Sequence, residues 1–130
     1  MEIDDVKEWF KIADDDFYSA QILYEQVRKP YEIICYHCAQ AVEKYLKGFL
    51  SYQNVIPEKT HNLTYLGRIC IDKDKEFLNV KYEFDILNRY TSDIRYPHKY
   101  EVNENDAKIS ISAVEKIKNI KQLVELKNKL

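Results

Sequence analysis

The residues best equipped for chemistry gather between Arg89 and Tyr100, in the run Arg-Tyr-Thr-Ser-Asp-Ile-Arg-Tyr-Pro-His-Lys-Tyr. An Arg and a His held together can serve phosphodiester cleavage: the imidazole moves a proton and the guanidinium holds a phosphate or a developing oxyanion. Arg95 with His98, or Arg89 as the alternative arginine, would form such a pair. The simpler reading has Arg95 paired with an acidic neighbour, and Tyr90 and Tyr96 packed with their hydroxyls outward. Elsewhere, Cys35-Tyr-His-Cys38 has a C-x-x-C form with His37 inside it. A zinc site needs a second ligand pair and a c-type haem needs His directly after the second Cys, and neither is present. Cys35 and Cys38 lie three apart within a helical pattern, so both read as small buried apolar groups, and no metal or cofactor is implied. His37 reads as half-buried and hydrogen-bonded, and His61 as local packing at a helix start. No Gly-rich phosphate loop and no Ser-His-Asp set can be assembled.

The elements that must carry these residues are helices. The chain has 130 residues, 45% of them apolar, with 11 Tyr but only two Gly and three Pro, too few for a hairpin-rich β-fold. Asp4 or Asp5 caps a first helix whose stripe runs Val6, Trp9, Ile12 or Ala13, Phe17, Ala20 and Tyr24, with Arg28-Lys29 in its last turn and Pro30 ending it. A second helix spans about Tyr31 to Gln53, facing inward through Ile34, Cys38, Ala41 or Val42, Tyr45 and Phe49. The four-apart pairs Gln40–Lys44 and Glu43–Lys47 support its exposed face. Gly48 costs that helix roughly 1 kcal/mol relative to Ala, which points to another helix packing closely there. After a loop from Asn54 to Lys59, Thr60 caps a short helix with Leu63, Leu66, Ile69 and Cys70. A fourth helix, about Lys81 to Ser92, buries Tyr82, Ile86, Leu87 and Tyr90, and Pro97 breaks the pattern. A last helix, about Asp106 to Asn128, turns Ala107, Ile111, Val114, Ile117 and Val124 inward. The expectation is an all-α up-and-down bundle of four to five helices, one domain over residues 1–130.

Lys plus Arg number 20 against 22 Asp plus Glu, a formal net charge of −2, which gives no broad attraction to nucleic acid and no sign of DNA-specific binding. The acidic opening Met1-Glu2-Ile3-Asp4-Asp5 is no secretory leader, and no apolar run approaches spanning length. A soluble cytoplasmic protein without membrane contact is expected. The lysines from Lys116 to Lys129 are preceded by Glu115 and interrupted by Glu125, and read as a solvated helix face.

The segment Cys-Tyr-His-Cys-Ala-Gln-Ala-Val-Glu-Lys-Tyr-Leu-Lys-Gly-Phe-Leu, Cys35 to Leu50, resembles the signature of HEPN domains (higher eukaryotes and prokaryotes nucleotide-binding). Trp9 with the early Ala and Asp residues, Thr60-His61-Asn62-Leu63 and Arg95-Tyr96-Pro97 follow that pattern in order, so the resemblance covers roughly Trp9 to Val124. It implies a HEPN-like bundle that commonly forms a homodimer. Many small members are encoded beside a minimal nucleotidyltransferase in toxin–antitoxin pairs. Active members are metal-independent ribonucleases using an Arg and a His separated by four to six residues. Here two residues separate Arg95 from His98 and eight separate Arg89 from His98, and Pro97 interrupts the helix that would align them. That departure argues against ribonuclease chemistry, and the Arg-Tyr-Pro form is similar to the branch that binds nucleotide or a partner. The resemblance thus points to Arg95, Tyr96, Tyr100, Lys44 and Lys47 as binding residues for a nucleotide, RNA or partner. His98-Lys99-Tyr100 matches the His-x-Tyr of the toxin branch, and the resemblance implies Tyr100 as a candidate acceptor of nucleotide modification by the partner enzyme.

Overall fold

The structure is a computed structural model that describes residues 2–56, 58–91 and 101–130. Among the described residues six α-helices follow one another: α1 (Ile3–Tyr24), α2 (Tyr31–Tyr52), α3 (Leu63–Lys73), α4 (Lys81–Asn88), α5 (Glu104–Lys118) and α6 (Lys121–Lys129). A short 3-10 turn, Lys75–Val80, joins α3 to α4, and the described residues contain no strand. None of these helices is long and apolar enough to cross a membrane.

The first two helices form an antiparallel hairpin, because residues early in α1 meet residues late in α2. The Phe10 ring meets Tyr45 edge-on at 5.5 Å, and Asp16 bonds His37 at 3.0 Å. Asp14 accepts a short hydrogen bond from the Tyr45 hydroxyl and pairs with Lys127 of α6 at 2.8 Å, which pins three helices together. Gly48 sits where α1 comes closest: a Cβ there would lie 2.7 Å from the Phe10 ring and 3.1 Å from the Trp9 Cβ. The close packing expected at that glycine is therefore present. On its other sides α2 meets α5, where Ser110 donates to the Cys35 sulfur at 3.4 Å, and α3. Surrounded in this way, α2 buries thirteen residues, including Glu43 and Lys47.

Several helix ends differ from the sequence expectation. Residue Glu2 occupies the cap of α1 without a side-chain bond, and Asp4 and Asp5 lie in the first turn, where they complement the helix dipole. The helix stops at Tyr24, so Arg28 and Lys29 fall beyond its last turn. Lys29 instead bonds the Gln26 carbonyl at 2.8 Å and stands over the Tyr24 ring. The cap of α3 is Asn62, which accepts from the Tyr65 amide, while Thr60 accepts from the Asn62 amide just upstream. Helix α4 ends at Asn88 rather than Ser92, and Phe84 fills the core where Tyr82 was expected, since Tyr82 is 66% exposed. The expected last helix is two. Asn119 and Ile120 break it without Gly or Pro, and Leu123 and Leu126, not Val124, turn inward.

Helix α2 closes with a positive-φ residue, Asn54. The Asn54 amide returns to the Ser51 carbonyl at 3.0 Å and the Val55 amide to the Leu50 carbonyl at 2.9 Å. This paired closure satisfies two carbonyls that the helix would leave bare. The other glycine, Gly67 on α3, lies under Phe84, whose ring an added Cβ would overlap. Gly67→Ala should therefore lower unfolding free energy by about 1–3 kcal/mol despite the higher helix propensity of Ala, read as a lower urea midpoint at unchanged m-value.

Candidate functional site

The candidate site is built on the middle of α2. A helix brings residues three and four apart onto one face, so Gln40, Glu43, Lys44 and Lys47 share a side. The sequence reading put these pairs on an exposed face. The structure buries one of the pairs, with Glu43 1% exposed and Lys47 6%, and leaves Gln40 and Lys44 half-buried. The reason is that α2 has neighbours on most of its circumference, so a four-apart charge pair on it need not face water.

A carboxylate in that position must have its charge answered. One Glu43 oxygen meets His61 Nδ1 at 2.8 Å; the other accepts from Lys47 Nζ at 3.0 Å and Lys44 Nζ at 3.2 Å. Lys44 also donates to Gln40 Oε1 at 2.8 Å, and the Lys47 ammonium lies 5.8 Å from the centre of the Trp9 ring. Burial pushes the Glu43 carboxyl up, but the His61 hydrogen bond and the two lysines outweigh it and hold it below its ordinary 4.5. Because ionised Glu43 only accepts, Nδ1 of His61 carries a proton and Nε2 is turned away from the carboxylate. One negative charge facing two ammonium groups leaves the cluster with surplus positive charge. It opens to the surface through His61, whose side chain is 66% exposed, and narrowly through Lys44 at 16%.

His61 was missed as a member of this site when read from its residue type alone. Eighteen positions separate it from Glu43, a distance that no helical or strand period links. The usable signal was its place in Thr60-His61-Asn62-Leu63, a landmark of the family resemblance.

Of the residues expected to act together, the structure brings Lys44 and Lys47 into one cluster. Arg89 follows the end of α4, with its guanidinium 5.6 Å from the centre of the Tyr90 ring and its charge acting on the Cys35 thiol. It thus stands near the N-terminal part of α2, about 12 Å along the helix from Glu43 by the rise per residue. Arg95, Tyr96, His98 and Tyr100 lie outside the described residues. The chain leads towards them from a fixed point: Asn88 Oδ1 accepts from the Leu63 amide at 2.7 Å, which sets the end of α4 against the start of α3, two residues from His61. Tyr90 is 2% exposed rather than packed with its hydroxyl outward, and burial pushes its pKa up to about 12.

The remaining reactive groups are quiet. All three cysteines are free and buried, and burial raises the Cys35 thiol to about 11 and the Cys38 thiol well above its ordinary value. No group of three or more His, Cys, Asp or Glu among the described residues could hold a metal ion. His37 is half-buried against Asp16 at 3.0 Å, as its position suggested.

The Glu43 cluster has a measurable pH signature. With its folded pKa lowered, Glu43 contributes stability fully above its unfolded value near 4.5 and loses it as pH falls through the lower folded value. Glu43→Ala, which strands Lys47 in the interior, should cost about 3–5 kcal/mol at pH 7. Urea titrations of both proteins at a series of pH values should show that gap narrowing below about pH 4.5; a gap independent of pH would mean that the carboxylate charge is not what holds the cluster.

The solved structure of an archaeal HEPN homologue superposes on this chain with a TM-score of 0.69, at 24% identity, covering 95% of this chain and 96% of that one. At that identity the likeness speaks for the fold. No curated protein matches the chain at a significant level. The HEPN domain family matches residues 6–124, a span that takes in Trp9, the α2 signature and Thr60 to Leu63. An all-helical bundle with this match over most of its length belongs to the HEPN-domain family.

Proposed function

We propose that this chain is a nucleotide- or partner-binding HEPN module, paired with a minimal nucleotidyltransferase in a toxin–antitoxin type of system, and not a ribonuclease. The observation that carries the reading is the surplus positive charge of the Glu43 cluster, open to solvent at His61 and Lys44. An electropositive opening beside a fixed imidazole suits a phosphate group. Lys44 is the lysine that can reach a ligand, whereas Lys47 is enclosed and acts by holding Glu43. Arg95, Tyr96 and Tyr100 complete the binding set in this reading, and Tyr100 is the residue that a partner enzyme would modify with nucleotide. Against cleavage stands the spacing: two residues between Arg95 and His98, with Pro97 one of them. Homodimer formation is part of the same reading.

Calorimetry with ATP and GTP should give a binding heat for the wild-type protein, and Lys44→Gln and Arg95→Ala should each weaken affinity about five- to tenfold, the loss expected of one charge-assisted phosphate contact. The absence of any heat would mean a structural adaptor. RNA incubated with the protein in EDTA should stay intact, and cleavage lost in both Arg95→Ala and His98→Ala would replace the binding reading with the ribonuclease one.

A further inference from the structure

A well-formed groove among the described residues lies apart from the Glu43 opening, with neither Glu43 nor His61 in its lining. It has a volume of about 560 Å³ and runs between the first three turns of α1 and the chain that follows α2. Its apolar lining includes Trp9, Val55 and Ile56, and its α1 rim carries Glu2, Asp5 and Glu8. Two features distinguish this groove from the surrounding surface. Ile56, which follows the closure at Asn54 and Val55, lines the groove and is 90% exposed. The three carboxylates, spaced three residues apart along about 9 Å of helix, have no charged partner within ion-pair distance among the described residues. The helix dipole accounts for acids in the first turn; Glu8 lies one turn on, where its charge acts on Lys11, a lysine that already bonds Asp15 at 2.9 Å.

We propose that this groove docks a basic amphipathic helix of another protein. An aliphatic side chain of the partner would sit against Trp9, Val55 and Ile56, and its Lys or Arg residues at spacings of three and four would meet Glu2, Asp5 and Glu8. The occupant follows from charge complementarity: an apolar floor with a single-sign rim repels acidic segments and steers basic ones. The volume fits one or two side chains of a docked helix, within the ~300–1,000 Å³ range of binding clefts. The surface is separate from the nucleotide-binding reading and stands or falls without it.

The test uses the full chain, labelled with 15N, and a 14-residue Leu/Lys helix-forming peptide with lysines three and four apart. Amide shift changes should be confined to the first three turns of α1 and to residues 51–56. Glu8→Lys and Ile56→Asp, both surface changes checked for helix content by circular dichroism, should each weaken binding about tenfold. A peptide with Glu in place of Lys should not bind. Unchanged affinity in both variants, shift changes elsewhere, or equal binding by a peptide with Gln in place of Leu would overturn the proposal. So would a dimer of the wild-type protein that Ile56→Asp makes monomeric in sedimentation, because a second copy would then cover the groove.

Discussion

The ionised carboxylate of Glu43 inside the bundle is the constraint on which the surrounding structure depends. A charge out of water is tolerated only when its partners are held in place, and here they come from two directions. Lys44 and Lys47 are supplied by α2 itself, so their register is set by the helix. His61 is supplied by the chain before α3, so the same carboxylate fixes where α3 begins. The start of α3 then fixes the end of α4 through the Leu63 amide and Asn88. A single buried acid thereby controls the point from which the chain departs towards Arg95 and His98.

A second polar seam does comparable work between α1 and the rest. Asp14 joins Tyr45 of α2 and Lys127 of α6, and Asp16 joins His37. The two seams lie on different sides of α2, and the apolar core fills the space between them with Phe10, Leu46 and Phe49. Apolar packing alone would let α2 rotate or slide by a turn at modest cost. Directional bonds to Asp14, Asp16 and His61 remove that freedom, since each would be left unpaired in a shifted register.

Sequence periodicity made α2 legible almost to the residue, from Tyr31 to its end near Gln53, because one helix with apolar residues on every turn leaves little choice. The same logic misplaced its charges. Residue type says that Glu and Lys face water, and only the packing of α1, α3 and α5 around α2 says otherwise. Tyr82 and Phe84 show the ambiguity of a short helix, where two registers of the stripe score alike and the tertiary fit chooses Phe84. The break at Asn119 carries no Gly or Pro, so nothing local announced that α5 and α6 are separate. Of the candidate site, Lys44 and Lys47 were legible through the family signature, while the link from His61 to Glu43 is a long-range contact that no local pattern encodes.

Trp9 joins the two surfaces to which function is assigned here. Its indole lines the acidic groove and also stands within 5.8 Å of the Lys47 ammonium that holds Glu43. A ring face 5.8 Å from an enclosed ammonium stabilises that cation through its π-system. The aromatic wall therefore permits opposite electrostatic surfaces to coexist about one helix apart: an acidic groove along α1 and a positive opening on α2. A small aliphatic residue at position 9 would take that π-face from Lys47, the most enclosed partner of Glu43. The size and polarity of that one side chain thus serve the fold and the separation of the two surfaces at once.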